Sequence, residues 1–409
     1  MNQVAWLKST LKRQQGTDVA FLGPAALAEV AQFHSSFSQY QVTPLRSLQG
    51  LADKLGVGGI YVKDESYRFG LNAFKVMGAS YAIGKYLAGR LGKDLGALPF
   101  AVLSSAAVRE TLGEITFVTA TDGNHGRGVA WTARVLGQKA VVYMPKGSSL
   151  TRLQHIQSEG AEASITELNY DEAVDMAAEQ AGHNGWVVVQ DTAWEGYETI
   201  PVWIMQGYAH IAAEIIDQFR QMGPERPTHV FLQAGVGSFA AAIAGHFIAA
   251  FGTERPVMVL VEPNQADCFY RSVLAADGRE RSVSGDMATI MAGLACGKPN
   301  PLSWSIIRDY GDMFFSCPDW VTAKGMRVLG NSVGQDERVI AGESGAVGAG
   351  LLAALLERKE LWEARMALGL DQHSRVLLIS TEGDTDPASY RKIVWDGAYP
   401  SWQEGENPC

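Results

Sequence analysis

Lys75 has the sequence surroundings of a lysine that can act as a nucleophile. It follows a loop that contains Gly70 and stands between the apolar residues Phe74 and Val76, at the start of a predicted helix. The positive end of the helix dipole and partial burial both disfavour an ammonium group, so we expect the pKa of Lys75 to be depressed. A neutral lysine amine can form a Schiff base with a carbonyl cofactor. Most lysines near helix starts are solvated surface groups, so a catalytic role for Lys75 needs support from other motifs in the chain.

Predicted strands and helices alternate along most of the chain and would position this lysine. A β-prone run at Gly59–Val62 leads into its loop. The helix after the loop has a predicted apolar face formed by Phe74, Met77, Tyr81 and Ile83. Further strands are predicted at 115–119, 140–144, 163–166, 186–189, 229–232, 257–261 and 375–380, and further helices at 25–33, 126–136, 150–159, 170–181, 200–222, 238–251 and 346–356. This alternation predicts an α/β protein with open parallel sheets covered by helices on both faces.

The chain of 409 residues is long enough for two or three structural units. A change of pattern near residues 100 and 200 separates a middle unit from the rest, and the glycine-containing stretch 91–98 is a candidate hinge. Residues 1–58 are predicted to form an irregular arm with one helix and a connector at Pro44-Leu45. Residues 265–335 are predicted to contain little regular structure.

The composition excludes several classes of partner. A formal net charge of −10 argues against nucleic acid, because phosphate binding needs clustered Lys and Arg. No window of about 18 apolar residues occurs, and residues 1–13 lack the apolar run of a signal peptide. We therefore expect no membrane association and a cytoplasmic protein. The eight histidines and four cysteines show neither an H-E-x-x-H nor a C-x-x-C motif, so no metal site is predicted.

Two of the four cysteines, Cys268 and Cys296, lie in the stretch predicted to be irregular. Thiols of cytoplasmic proteins are kept reduced, so we expect both cysteines to be free. The alternative is a reversible disulfide between them that orders a lid over the site.

The loop after strand 115–119 contains the first candidate ligand-binding residues. Ligands bind at the carboxyl ends of the strands in parallel α/β sheets, so this loop faces the expected site. Its small and polar residues are Thr121, Asp122, Gly123 and Asn124. A helix is predicted to start directly afterwards, at Gly126, and free N–H groups at a helix start suit a carboxylate or a phosphate. An ordinary N-cap with turn glycines is the alternative interpretation of this loop.

A second loop, Gly235–Ser238, follows a predicted strand and opens an alanine-rich helix. Its backbone N–H groups and its serine hydroxyl suit a phosphate. The loop also fits G-x-G-x-x-A, and Glu262 ends the next strand, where a ribose-binding acid is expected, so a nicotinamide-dependent dehydrogenase is an alternative. The last strand ends in Ser380 and Thr381, whose hydroxyls suit either a neutral ring nitrogen or an ordinary turn.

Several strings taken together resemble the fold-type II pyridoxal-phosphate enzymes of the tryptophan synthase β group. The strings are K-D-E-S-Y-R-F-G-L-N-A-F-K at 63–75, T-D-G-N-H-G-R-G at 121–128, Q-D-T-A-W-E-G-Y at 190–197, the glycine loop at 235–238 and S-T-E-G-D-T-D-P at 380–387. Within that group the fuller strings resemble the diaminopropionate ammonia-lyase family. The resemblance extends in matching order from about residue 35 to residue 400 and is highly specific.

The resemblance implies a bound pyridoxal 5'-phosphate and assigns residues to it. Lys75 would form the Schiff base, and Asn124 would contact the phenolic oxygen. The phosphate would be held by Gly235, Val236, Gly237 and Ser238. Ser380 would face the pyridine nitrogen, with Thr381 as the neighbouring candidate. The resemblance also implies a large cofactor-binding domain at 1–100 and 200–409, a smaller mobile substrate domain at 101–199, and a homodimer.

The implied reaction is α,β-elimination of D- and L-2,3-diaminopropionate to pyruvate and two ammonia. Serine/threonine dehydratases, the alternative lyases, usually carry a small or hydroxyl residue where this chain has Asp122, and Asp191 is a second added carboxylate. Two carboxylates suit a diamine substrate and can act as bases. We expect Asp122 to serve the D form and Asp191 the L form, with Thr121 and Gly123 completing the substrate site. The alternative is that both aspartates only recognise the β-ammonium group.

Overall fold

The computed structural model describes residues 3–11, 16–223 and 226–401. The strands in these residues are β1 (Ala5–Lys8), β2 (Leu45–Ser47), β3 (Gly59–Asp64), β4 (Thr116–Ala120), β5 (Lys139–Met144), β6 (Glu162–Ile165), β7 (Val187–Val188), β8 (His229–Gln233), β9 (Val257–Pro263), β10 (Met313–Cys317) and β11 (Arg375–Ser380). The helices are α1 (Pro24–Ser35), α2 (Gln49–Leu55), α3 (Val76–Arg90), α4 (Phe100–Leu103), α5 (Ala106–Leu112), α6 (Asn124–Val135), α7 (Leu150–Ser158), α8 (Tyr170–Asn184), α9 (Thr199–Met222), α10 (Ser238–Phe251), α11 (Cys268–Leu274), α12 (Pro301–Tyr310), α13 (Asp319–Gly330), α14 (Glu343–Glu357), α15 (Trp362–Leu368) and α16 (Pro387–Val394).

The strands form two sheets. The larger sheet has the order β1-β10-β9-β8-β11-β3-β2, and the smaller has the order β6-β5-β4-β7. All pairs are parallel except those of the two edge strands of the larger sheet, β1 and β2, which are antiparallel to their neighbours. Strands β3, β8 and β10 are buried at every residue, as expected for parallel strands covered on both faces. The predicted α/β fold with open parallel sheets is confirmed.

The two antiparallel edge strands, β1 and β2, are not predicted from the sequence. Residues 1–58 were expected to form an arm with one helix, but they also contribute β1, β2 and α2. The two strands are only four and three residues long and are partly exposed, and the short apolar run at 4–7 is a weak strand signal. Pairing with the sheet therefore makes them strands, rather than any local preference.

Residues 265–335 are more regular than predicted. They contain α11, α12, β10 and α13, and the fully buried β10 joins the larger sheet beside β9. The start of α12 carries a recognisable signal, because the Asn300 side chain caps the helix and Pro301 occupies its first turn. The expectation of little regular structure was therefore wrong for residues 301–335, whereas residues 275–300 contain only the short 3-10 turn Ala292–Leu294, as expected.

A close crossing of α3 and α9 fixes the start of α3, where Lys75 lies. A side chain on Gly78 would meet Ile204 and Tyr208 at 2.6 Å, and one on Gly207 would meet the Met77 carbonyl oxygen at 2.3 Å. Glycine at both positions lets the helix backbones approach closely. The crossing therefore holds Lys75 and Tyr208 on neighbouring turns of two packed helices.

The sequence predicts no membrane association, no metal site and free thiols at Cys268 and Cys296. No helix in the described ranges is long and apolar enough to cross a membrane. The same ranges contain no group of three or more His, Cys, Asp or Glu side chains arranged to hold a metal ion. Cys268, Cys296 and Cys317 are buried free thiols, and Cys409 lies outside the described residues.

Candidate active site

A cavity with about 730 Å³ of empty space, part of it open to solvent, lies where the loops after β4, β7, β8 and β11 converge. Most of the candidate residues line it: Lys75, Thr121, Asp122, Asn124, Asp191, Gly235, Val236, Gly237, Ser238 and Thr381. Gly123 and Ser380 are not among the lining residues. Both sheets thus contribute to one cavity at the carboxyl ends of their parallel strands, where ligands are expected in this class of fold.

Lys75 contacts Asp191 inside this cavity. Its Nζ donates to Asp191 Oδ2, and the Tyr208 hydroxyl donates to the same oxygen at 3.3 Å. The Lys75 side chain is 17% exposed and the Asp191 side chain 3%. The Asp191 backbone carbonyl accepts a hydrogen bond from the Ser238 hydroxyl. The aspartate is therefore fixed between the lysine, the tyrosine and the glycine loop.

The ion pair reverses the expected protonation of Lys75. Burial lowers the pKa of this amine, but the Asp191 carboxylate outweighs burial and raises the pKa above its usual value. Burial likewise raises the pKa of Asp191, but the Lys75 ammonium outweighs it and brings the pKa to about 2. The prediction of a depressed lysine pKa was wrong, because it considered only the helix start and burial and not a carboxylate 116 residues away.

Asp122 lies in a different electrostatic environment. Its Oδ2 accepts from Arg152 Nη1 at 3.4 Å, and Arg152 Nη2 lies 3.8 Å from Glu343 Oε2. Burial raises the pKa of Asp122, opposed by Arg152 and Lys75. The pKa values of the two cavity aspartates are therefore shifted in opposite directions, an arrangement that allows two carboxylates to take different roles.

Asn124 is hydrogen-bonded to Glu382, a carboxylate that is not among the residues predicted from the sequence. Its Nδ2 donates to Glu382 Oε2 at 2.5 Å, and the Ser344 backbone N–H donates to Glu382 Oε1 at 3.0 Å. Glu382 is 1% exposed and lines the cavity. The sequence feature that could have identified Glu382 is its position, directly after Thr381 at the end of a buried strand.

The two hydroxyl residues at the end of β11 lie in different places. The Ser380 hydroxyl donates to the Glu382 backbone carbonyl at 3.3 Å, whereas Thr381 lines the cavity and its Oγ1 accepts from Gln233 Nε2 at 3.1 Å. Side chains alternate between faces along an extended chain, so only one of the two can face a given cavity. The geometry favours Thr381 as the residue whose hydroxyl reaches a ligand.

His125 also lines the cavity and was missed. Its Nε2 lies 2.8 Å from the Val189 carbonyl oxygen, which can only accept, so Nε2 carries the proton. Burial lowers the pKa of this imidazole. Its Nδ1 is buried and has no hydrogen-bond partner among the described residues. The histidine is therefore neutral and presents an acceptor nitrogen.

The glycine loop is built to receive an anion. Gly237 has φ +91° and precedes α10, and no side chain caps the helix there. The first N–H groups of α10 are therefore free for a phosphate. Ser238 Oγ accepts from Asn300 Nδ2 at 2.8 Å. A Cβ on Gly237 would lie 2.4 Å from the Phe269 ring, so the loop is also tightly packed.

We expect Gly237→Ala to destabilise the protein by about 2–4 kcal/mol, because it adds both a left-handed backbone penalty and a steric overlap. Gly147→Ala is the matched control, since Gly147 has φ +84° but no atom within 4 Å of its Cβ position. The control should lose only about 1 kcal/mol. Urea unfolding of the cofactor-free proteins measures both changes, and equal losses would contradict the packing argument.

Glu262 is not available to bind a ribose, as a nicotinamide-dependent dehydrogenase would require. Its carboxyl oxygens accept the backbone N–H groups of Phe269 and Tyr270 at 2.9 and 2.7 Å, and its side chain is fully buried. Burial raises its pKa to about 8. Its hydrogen bonds hold the start of α11 and leave no free carboxylate for a ribose.

Comparisons with known proteins agree with this geometry. The family model for pyridoxal-phosphate-dependent enzymes matches residues 37–382. The diaminopropionate ammonia-lyase of Salmonella typhimurium is 52% identical over 392 residues, covering 95% of this chain and 97% of the relative.

Two solved structures of the Escherichia coli diaminopropionate ammonia-lyase superpose closely. One is the complex with D-serine, with a TM-score of 0.91, and the other is the complex with an aminoacrylate-PLP azomethine reaction intermediate, with a TM-score of 0.90. Each solved structure is 45% identical in sequence to this chain, and the superposition covers 98% of this chain and 99% of the solved chain. These findings confirm the resemblance carried by the sequence strings. The chain belongs to the diaminopropionate ammonia-lyase family of pyridoxal-phosphate-dependent enzymes.

Proposed function

We propose that this protein converts 2,3-diaminopropionate and water to pyruvate and two ammonia, and that it accepts both enantiomers. The observation that carries the proposal is one cavity that holds a lysine and two aspartates with different partners, the buried Asp191 and the partly buried Asp122. The named relatives are diaminopropionate ammonia-lyases that match nearly the whole chain.

The residues present fit pyridoxal phosphate. Lys75 would hold its carbonyl carbon, the free N–H groups at the start of α10 its phosphate, Asn124 its phenolic oxygen and Thr381 its ring nitrogen. When bound, the cofactor supplies an electron sink that makes the Cα proton of an amino acid removable. A hydroxyl rather than a carboxylate at the ring nitrogen suits a neutral ring.

The chain's own groups then move protons. Asp122 and Asp191 are the candidate bases for Cα, and Lys75 can donate a proton to the departing β-amino group. Asp191 holds Lys75 as an ammonium in this structure, which is the form that can donate. Asp122 contacts Arg152, whereas Asp191 contacts Lys75 and Tyr208. Different partners for the two aspartates support separate approaches to the substrate.

An acidic cleft outside the cavity supports a cationic substrate. This outer cleft has about 1980 Å³ of empty space, part of it open to solvent, and shares Asp122, Tyr170 and Ala292 with the cavity. Its acidic lining residues are Asp122, Glu167, Glu172, Asp286, Asp319, Glu343 and Asp386, against Lys146 and Arg152 as the basic ones. Such an excess of negative charge attracts a diamino acid more strongly than a neutral amino acid.

The test of the proposed function uses the cofactor-loaded protein and each enantiomer separately. Pyruvate and ammonia should appear in a ratio of one to two, and serine at equal concentration should give far less pyruvate. A protein that releases pyruvate from serine or threonine but not from either diamine would be a dehydratase, and the proposal would be wrong.

Removal of the Asp191 charge should change how Lys75 reacts with the cofactor. Asp191→Asn deletes the carboxylate that raises the lysine pKa, so burial then lowers it and more of the amine is neutral near pH 7. Each unit of pKa corresponds to about tenfold more neutral amine well below the pKa. We expect the variant's Schiff base to form faster at neutral pH, with the advantage shrinking as pH rises.

The measurement is the growth of cofactor absorbance after pyridoxal phosphate is added to cofactor-free protein between pH 6 and pH 9. Tyr208→Phe removes the hydroxyl 3.3 Å from Asp191 but keeps the ion pair, and so should show little acceleration. Equal or slower formation in Asp191→Asn at every pH would contradict the assignment.

We also propose that residues 101–199 form a smaller substrate domain that moves against a cofactor domain of 1–100 and 200–409. The two parts share an apolar core, where Trp131 packs against Phe37 and Phe69. Polar contacts join them elsewhere, including Ser149 Oγ to Asp386 Oδ2 at 2.6 Å. Such contacts can break and reform when a ligand enters. Small-angle scattering with and without substrate would detect closure.

We also propose that the protein is a homodimer located in the cytoplasm. Trp362 and Met366, one turn apart on α15, are each 59% exposed, and exposed large apolar side chains are common at subunit interfaces. Buried free thiols agree with a reducing compartment. Sedimentation velocity would test the dimer, and fractionation of the source cells would test the location.

A further inference from the structure

Glu382 is held in place entirely by neutral hydrogen-bond donors. The Ser344 N–H donates to Oε1 at 3.0 Å, and Oε2 accepts from Asn124 Nδ2 at 2.5 Å and from the Thr385 hydroxyl at 3.4 Å. Ser344 lies in the first turn of α14, where the helix dipole favours a negative charge. Each neighbour donates a hydrogen bond, so the carboxyl oxygens serve as acceptors.

The three carboxylates that line the inner cavity differ in whether a cationic side chain contacts them. Asp191 forms an ion pair with Lys75, and Asp122 forms one with Arg152. Glu382 forms no ion pair with any residue that the structure describes, although it is 1% exposed. Arg152 interacts with Glu382 electrostatically but makes no ion-pair contact with it, and Glu382 contributes to the raised pKa of Arg152. The cavity therefore contains a buried carboxylate that no cation contacts, and a ligand ammonium in contact with it would compensate its charge more fully.

We propose that Glu382 binds the β-ammonium group of the substrate and thereby selects a diamino acid over serine. The inference rests on the proposed function and adds a specificity residue to it. A ligand ammonium would supply a contacting cation, whereas the serine hydroxyl in the same place brings no charge. Glu382 makes and breaks no covalent bond in this role. The roles of Asp122 and Asp191 as bases are left unchanged.

The experiment compares Glu382→Gln with the wild type in the cofactor-loaded protein. Dissociation constants are measured for D-2,3-diaminopropionate, from the absorbance change on rapid mixing, and for D-serine, from an equilibrium absorbance titration. Glutamine keeps the size but not the charge. We expect the diamine to bind on the order of 10- to 100-fold more weakly, which is the usual range for losing a charged hydrogen bond. Serine binding should change by less than about threefold.

Glu343→Gln is the matched control. It removes a second buried carboxylate from the same acidic surroundings, but Glu343 lines the outer cleft and not the inner cavity. Glu343 is one of seven acidic residues that line the outer cleft, so this variant should shift the ratio of the two dissociation constants much less than Glu382→Gln does. Glu382→Asp, which keeps the charge, should retain a clear preference for the diamine.

Two outcomes would overturn the proposal. An unchanged ratio of the two dissociation constants in Glu382→Gln would show that Glu382 does not recognise the second ammonium. Equal weakening of both ligands, together with weaker cofactor binding in equilibrium dialysis, would show that Glu382 acts only by holding Asn124. Failure of the wild type to release pyruvate from the diamine would instead reject the proposed function, and the ratio of the binding constants would still test Glu382.

Discussion

Lys75→Ala should abolish steady-state pyruvate release, with a fall of at least about 10³-fold. Covalent attachment of the cofactor and proton transfer to the leaving amine both need this group. Lys75 is the sole cationic side chain among the described residues that line the cavity, so no neighbour can replace it. The variant should still fold, because the lysine precedes α3 and makes no contribution to its cap.

Two further variants make this result interpretable. Lys75→Ala leaves Asp191 as a buried charge without its partner, which by itself destabilises the protein. Lys75→Arg keeps a cation for Asp191 but cannot give up its proton to form a Schiff base, so it should be equally inactive yet more stable. Lys85→Ala, on the same helix but paired with Glu29 outside the cavity, should keep full activity. Substantial turnover by Lys75→Arg would contradict the role of the lysine.

The cavity could be located from short sequence motifs because, in a parallel sheet, a loop that follows a strand has a known position. A parallel strand that ends in a glycine-rich or hydroxyl-rich loop places that loop at one edge of its sheet. The loops at 121–124 and 235–238 illustrate this, since both were read from the sequence and both line the same cavity. The start of α10 was predicted at Ser238 because an alanine-rich run follows the glycines, and the structure begins the helix there.

Pairings between distant residues were not available from the sequence. Lys75 and Asp191 belong to different parts of the chain, and only the crossing of α3 with α9 and the position of β7 bring them together. Their contact determines the direction of both pKa shifts, so local reasoning gave the wrong sign for the lysine. Glu382 was overlooked for a related reason, because its partners come from α6 and α14.

Asp122→Asn and Asp191→Asn should impair opposite enantiomers of 2,3-diaminopropionate. The Cα–H bond must stand perpendicular to the cofactor plane, so the two enantiomers present their protons in different directions to the protein. One base cannot reach both, since proton transfer needs a heavy-atom approach of about 2.6–3.2 Å. We expect Asp122→Asn to lower kcat/KM for the D form by about 10²–10⁴-fold, and Asp191→Asn to do the same for the L form.

The ratio of kcat/KM for the two enantiomers is the decisive readout, because it cancels effects shared by both substrates. Asp191→Asn also breaks the contact with Lys75, so some loss with the D form is expected, but the ratio should still move strongly. Asparagine keeps the size and hydrogen bonding of each aspartate while removing its basicity. If both aspartates only recognise the β-ammonium group, each variant will lose both enantiomers in similar proportion, mainly through KM. That result would reject the assignment of two bases and would leave the lyase activity itself in place.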